Sequence, residues 1–258
     1  MIYDGFMFFN EFELLELRLN ELWDLVDRFI LVEMNVTHAG KPKPMWFRAA
    51  IPPVGPWRFS RFMEKIVYIG VTDCPDTKVT WDREIFQRNA ILRGIPPDAK
   101  RSDQVIISDV DEIPKAETLR RLLPVEEPLS LKMRSYGGYW NARSGDWMHA
   151  KVAPYSAFRK YTPQNLRHVA FRQVEDAGWH FSYSGGPERV HEKMSAFSHQ
   201  EASVQKHNDL AKLKNDLPKG IGVFGGPMSF ERIDETFPAY LREHQDSFPG
   251  MIWTFPNA

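Results

Sequence analysis

Residues 2–33 read IYDGFMFFNEFELLELRLNELWDLVDRFILVE, and the hydrophobic period changes twice inside this stretch. Ile2 to Phe9 is aromatic and β-branched, which predicts a buried first strand. From Glu11 to Val26 the period lengthens. Leu15, Leu19, Leu22 and Val26 recur at three to four residues, while Glu13, Glu16, Arg18 and Glu21 fill much of the rest. That pattern predicts an amphipathic helix, with Asn10 as its N-cap. Phe29 to Glu33 is a short apolar run that suits a second buried strand. Strand, helix and strand in so short a span form a βαβ unit, which calls for a parallel sheet covered by helices.

The same alternation continues outward. Thr37 to Pro56 is loop-like, with Gly40, Pro42, Pro44, Pro52 and Pro53. Lys65–Val71 reads as a third strand, Asp82–Leu92 as a helix and Gln104–Ser108 as a fourth strand. Further strands are expected at Leu129–Tyr136, Tyr155–Arg159 and Trp179–Tyr183. Pro187, after Gly185-Gly186, opens a helix from Glu188 to about Phe197, the end at which proline is tolerated. The tail from Asp209 reads as helical and irregular. With no internal repeat or low-complexity linker, the expectation is one α/β domain over residues 1–258, with halves 1–115 and 116–258.

Composition narrows the function. Of 258 residues, 43% are hydrophobic and 26% charged, ordinary globular values that exclude a disordered or fibrous chain. Lys and Arg number 33 against 34 Asp and Glu, so no bulk positive field points to nucleic acid. One cysteine, Cys74, rules out an internal disulfide framework and a cysteine-built zinc site. No apolar run approaches a membrane span, and the first residues do not read as a signal peptide, so a cytoplasmic setting is expected. Eight Trp residues suit core packing and equally suit a carbohydrate site, where flat rings stack on sugar faces.

The most specific local feature is Val105-Ile106-Ile107-Ser108-Asp109-Val110-Asp111-Glu112-Ile113-Pro114. An apolar strand delivers two carboxylates, one residue apart, to its carboxyl end, where ligands bind in open α/β sheets. Two readings fit these residues. Asp109 and Asp111 hold a divalent cation, Mn2+ or Mg2+, together with substrate phosphates, or they solvate a surface turn.

In this setting the chain resembles the family 17 glycosyltransferases. Asp109-Val110-Asp111-Glu112-Ile113-Pro114 is similar to that family's Asp-x-Asp motif, and residues 8–22 to its first strand and helix. Val32 to Pro44, Arg83-Glu84 with Gln87-Arg88-Asn89, and Gly178-Trp179-His180 followed by Pro187-Glu188 and Lys193-Met194 match further blocks. Phe181 stands where the family pattern places cysteine. The resemblance implies a GT-A fold, with a mixed, mostly parallel central sheet. It also implies a nucleotide-sugar donor, UDP-N-acetylglucosamine foremost, a divalent metal, and inversion at the sugar carbon. The expected acceptor is a glycan, a glycoprotein or a lipid-linked sugar.

Such chemistry assigns roles. Asp109 and Asp111 are the expected metal pair, with His199 as a further ligand, and Asp109 also reaches the ribose. Glu201, Glu188 and Asp176 are the candidates for the base that takes the acceptor proton. Glu33 and Asn35 leave the second strand toward uracil and ribose, while Arg83, Arg88 and Asn89 read the nucleotide from their helix. His180 and Lys193 approach the diphosphate. Tyr136, Tyr139, Trp140 and Trp147, around flexible glycines, are the expected acceptor floor. Two other classes stay open on residues alone: a metal-dependent nucleotidyltransferase acting on sugar phosphates, and a carbohydrate-binding protein without catalysis.

Overall fold

Four apolar runs lie side by side as parallel strands: β1 (Ile2–Phe8), β2 (Arg28–Met34), β3 (Ile66–Val71) and β4 (Gln104–Asp109). In the computed structural model, which describes residues 1–53, 55 and 57–255, their order is β4-β1-β2-β3. Pro56, expected in the loop after β2, lies outside the described residues. Side chains of successive residues point to opposite faces. Phe6, Phe8, Leu31 and Ile106 therefore enter one core, and Tyr3, Ile30, Val32, Val105 and Ile107 a second one behind the sheet. Burial on both faces explains why these strands are almost continuously apolar.

Helix α1 (Phe12–Leu22) joins β1 to β2. It is shorter than its periodicity suggests. Leu25 and Val26 donate their amides to the Leu22 carbonyl in a closing turn, and Val26 is buried from that turn. Asn10 does not cap the helix; its side chain donates to Glu192 at 3.1 Å. The Glu11 carboxylate instead accepts the amides of Phe9 and Asn10 at 3.0 and 3.1 Å. Helix α2 (Trp46–Ala50) follows β2, and α3 (Thr80–Asn89) precedes β4, prolonged by a tight 3-10 turn over Ala90–Gly94.

The chain then builds β5 (Glu112–Pro114), α4 (Ala116–Leu122), β6 (Leu129–Leu131), β7 (Met133–Gly137), β8 (Ala142–Trp147) and β9 (Lys151–Pro154). After α5 (Pro163–His168) come β10 (Gln173–Val174), β11 (Gly178–Ser182) and α6 (Gly186–Ala196). The tail carries α7 (Ala202–Gln205), α8 (Leu210–Asp216), β12 (Ser229–Phe230) and α9 (Ala239–Glu243).

Two mixed sheets result, flanked by helices: a seven-stranded one ordered β10-β6-β9-β4-β1-β2-β3, and a five-stranded one ordered β12-β8-β7-β11-β5. The second sheet is mostly antiparallel and was not legible in the sequence. The sheets interleave across residues 115 and 116, since β5 joins the second while β6, β9 and β10 extend the first. The expected strand Leu129–Tyr136 is two strands in different sheets. Lys132 is the crossing point: its amide donates to Val174 and its carbonyl accepts from Ala177. Tyr155–Arg159 is a 3-10 turn, and the strand is β9 just before it. Tyr155, Ala157 and Phe158 still pack on the second core, which is why so short an apolar run misleads.

Arg18 ties the first sheet to the turn that follows β4. It is fully buried, and all five of its N–H donors are used. They reach both oxygens of Asp4, the Ser108 hydroxyl and the carbonyls of Asp109 and Glu112. A charged residue inside the helix's apolar face thus fixes the turn carrying Asp109-Val110-Asp111. Gly178, with φ of 147°, lets β11 approach β5: a Cβ there would lie 2.2 Å from the Ile113 carbonyl oxygen.

Candidate active site

The register sets Met7 beside Asp109 and Phe8 beside Glu33, so β1, β2 and β4 end at one edge. An open cleft lies there. Its walls come from the segments after β1, β2 and β4, from one face of α3, and from the last turns of α6.

Asp109 and Asp111 both line the cleft, in different electrostatic settings. Asp109 accepts from Arg88 at 3.0 Å and from Arg167 at 2.7 Å. Burial opposes its ionisation, but Arg167 and Arg88 outweigh that and hold the carboxyl far below the usual range. Glu112, fully buried, accepts two bonds from Arg167 at 2.5 and 2.6 Å and one from the Trp147 indole. Asp111, only 5% exposed, accepts from Lys193 Nζ at 2.6 Å through Oδ2. Its Oδ1 lies 3.8 Å from His180 Nε2.

His180 is buried between Trp147, stacked at 4.3 Å, and Ser135, 3.4 Å from Nδ1. Burial lowers its pKa, so the ring is neutral at neutral pH and presents a lone pair. Burial also works against the charge on Lys193, yet Asp111 and Glu11 override it and raise the pKa. The ammonium is therefore permanent in the cleft. Tyr183, beneath Lys193, is pushed up to about 12 by burial.

Among the described residues, no group of three or more His, Cys, Asp or Glu side chains is arranged to hold a metal by itself. Asp109 has both oxygens committed to guanidinium groups. Asp111 Oδ1 and His180 Nε2, 3.8 Å apart, are the oxygen and nitrogen that would face a divalent cation if one were held here. His199 does not join them; it packs against Trp81 and pairs with Glu201 at 3.3 Å.

Other sequence-read residues distribute between cleft and scaffold. Arg88 lies in the cleft wall, buried between Glu84, Gln164 and Asp109. Arg83 braces the loop after β2 by donating to the carbonyls of His38 and Thr77. Asn89 accepts the Gln164 amide at 3.1 Å, at the start of α5. Glu33 is fully buried and turns away from the cleft. Its oxygens accept the Phe47 and Arg48 amides and the Tyr68 hydroxyl, with Lys43 at 3.8 Å. Asn35 is exposed beyond β2.

The expected acceptor floor is corrected in part. Tyr136 and Trp140 are fully buried core residues: Tyr136 stacks on Phe181 and donates to Glu231, and Trp140 packs on Phe181 and Phe248. Tyr139 packs against Phe230 and Trp253, and Trp147 braces His180. The three candidate bases also stand apart from the cleft. Glu188 pairs with Lys214 at 2.9 Å on an exposed face, and Glu201 begins α7, beyond α6, with His199 and Trp81. Asp176 pairs with Lys115 at 2.6 Å. Asp176 precedes β11 in a left-handed turn, with φ of 47°, and does not line the cleft.

Among the cleft residues given no role by sequence reasoning are Glu11, His38, Glu84 and Gln87. His38 bonds Gln87 at 2.8 Å, and Gln87 anchors to the Val32 carbonyl at 2.9 Å. Their signal lay in the helical spacing of Glu84, Gln87 and Arg88, which share one face of α3.

Clustered acids, a buried histidine and fixed cations thus line one cleft at the carboxyl edge of a parallel sheet, the arrangement of a candidate enzyme site. The model of glycosyltransferase family 17 matches residues 1–230, and the chain belongs to that family. The members of that family are named as glycosyltransferases. Among the chain's relatives are the β-1,4-mannosyl-glycoprotein 4-β-N-acetylglucosaminyltransferases of Mus musculus, Rattus norvegicus and Homo sapiens. Each is 26% identical over 290 residues, covering 94% of this chain and 53% of the relative. The chain thus spans about half the length of these curated relatives. No helix among the described residues is long and apolar enough to cross a membrane.

Proposed function

We propose that this chain transfers N-acetylglucosamine from UDP-N-acetylglucosamine to a hydroxyl of a glycan acceptor, with a divalent cation, inversion at the sugar carbon and a GT-A-type frame. The observation that carries the reading is Asp111, with one oxygen on Lys193 and the other toward His180, at the end of β4. The relatives' name describes a glycoprotein acceptor bearing β-mannose, which supports a glycan, on protein or lipid, as acceptor here.

In this reading UDP lies along the cleft from α3 toward α6. Asp111 and His180 would hold Mn2+ or Mg2+, which supplies charge neutralisation for the departing diphosphate. Lys193 adds a fixed positive charge beside the same oxygens. It needs no reorganisation as negative charge develops there. Arg88 and Arg167 keep Asp109 ionised and immobile, so its carboxylate is available to the ribose only in the direction they leave open. The acceptor oxygen bonds to the sugar carbon as the bond to diphosphate breaks, and its proton passes to a protein carboxylate.

Calorimetry tests donor and cation together. UDP should bind well above GDP in Mn2+ and lose most of its affinity under chelator. Preference for GDP, indifference to chelator, or pyrophosphate release from a nucleoside triphosphate would contradict the reading. A retained α-configuration in the product would remove inversion.

A further inference from the structure

We propose that Glu11 is the catalytic base of this enzyme, and that the acceptor hydroxyl reaches it from a second cavity between the start of α1 and α6. The inference rests on the transferase reading above and adds to it a residue and an acceptor route.

The argument begins with elimination inside the cleft. Four acids line it: Glu11, Glu84, Asp109 and Asp111. Glu84 is committed to Arg88 and Ser198 and Asp109 to Arg88 and Arg167, while Asp111 holds Lys193 with one oxygen and turns the other to His180, the pair assigned above to the cation. Glu11 differs. Its Oε2 accepts the Phe9 and Asn10 amides, which fix the carboxylate in place. Among the described residues its Oε1 accepts no hydrogen bond, so one oxygen is free to take a proton.

Position supplies the second half. A second cavity lies beside the cleft, and among the described residues Glu11 and Lys193 line both spaces. The second cavity is walled mostly by polar groups, including Asn10, Ser184, Arg189 and Glu192, which suit a ligand rich in hydroxyls. A sugar hydroxyl entering there meets Glu11 at the boundary with the donor cleft, while Lys193 faces the diphosphate side through Asp111. In the step, the acceptor oxygen bonds to the sugar carbon, and the electrons of the breaking bond leave with UDP. The proton goes to Glu11 Oε1 and is later released to water.

The charge environment agrees. Burial raises the Glu11 pKa; Asp111 raises it further and Lys193 opposes, which strengthens the carboxylate as a base. The groups facing it are Glu13 on its own helix, Asp111 after β4, Lys43 after β2, and Arg189, Glu192 and Lys193 on α6.

The test uses the full chain with UDP-N-acetylglucosamine, Mn2+ and a mannose-terminated glycan. Glu11→Gln keeps an oxygen for the two backbone amides, so UDP binding and melting temperature should be unchanged. Its kcat should fall at least about a hundredfold, and the acid limb of the wild-type kcat profile should vanish. Glu11→Asp keeps a titrating carboxylate and should keep that limb. Ser184→Trp, which fills the second cavity, should raise the acceptor KM without altering UDP binding. Undiminished turnover by Glu11→Gln, an Asp variant without an acid limb, or an unchanged acceptor KM in Ser184→Trp would overturn the proposal while leaving the transferase reading intact. Failure of the unaltered protein to transfer any sugar would overturn both.

Discussion

Asp109 and Asp111 stand two residues apart, yet they do different work. Asp109 is neutralised by two guanidinium groups and reads as a positioning residue, whereas Asp111 keeps an oxygen facing a neutral imidazole. Asp111→Asn should therefore cost at least about a hundredfold in transfer, because it weakens the hold on the cation that would neutralise the departing diphosphate. Asp109→Asn should act chiefly on UDP affinity. Rates and UDP titrations of the two variants check the contrast; equal effects on both parameters would erase it. The sequence placed these acids at a strand end but could not rank them, because the cations that rank them come from residues 88, 167 and 193.

At the scale of elements, α1 does more than link β1 to β2. Arg18 projects from its buried face into the Asp4 carboxylate of β1 and the carbonyls flanking the Asp109–Glu112 turn. Arg18→Met should cost about 3–5 kcal/mol in urea denaturation, since it strands a buried carboxylate and several acceptors. Asp4→Leu combined with Arg18→Met should recover part of that loss, a coupling that additive single effects would disprove. Periodicity located α1, because apolar residues at three to four spacing need no partner to be recognised. It gave Arg18 no role, since a buried arginine and a solvated one look alike in sequence.

At the scale of the whole molecule, Arg167 links α5 to the end of β4 and the start of β5. Burial opposes ionisation of Asp109 and Glu112, yet Arg167 wins and lowers both pKa values. The unfolded chain then takes up protons first on acidification. Stability from these groups is complete above about pH 5 and is lost progressively as pH falls below it. Denaturation midpoints from pH 6 to pH 2 should show that decline in the wild type, and Arg167→Met should flatten it; an equally steep decline in the variant would assign acid lability elsewhere.

By itself the sequence determined the βαβ start, the four parallel strands and the acids at the end of β4. These rest on local periodicity, on side chains that alternate or recur within a single element. Tertiary structure decided the rest. The second sheet joins β5 to β7 and β11, which belong together only through long-range pairing. Burial of Tyr136 and Trp140, the outward pairing of Glu188 and Asp176, and the placement of Glu11 beside Lys193 likewise depend on packing. Arg167 meets Asp109 across 58 residues of chain, and no periodicity records an interaction over that distance. A charge's role is set by its partners, and partners are chosen by the fold.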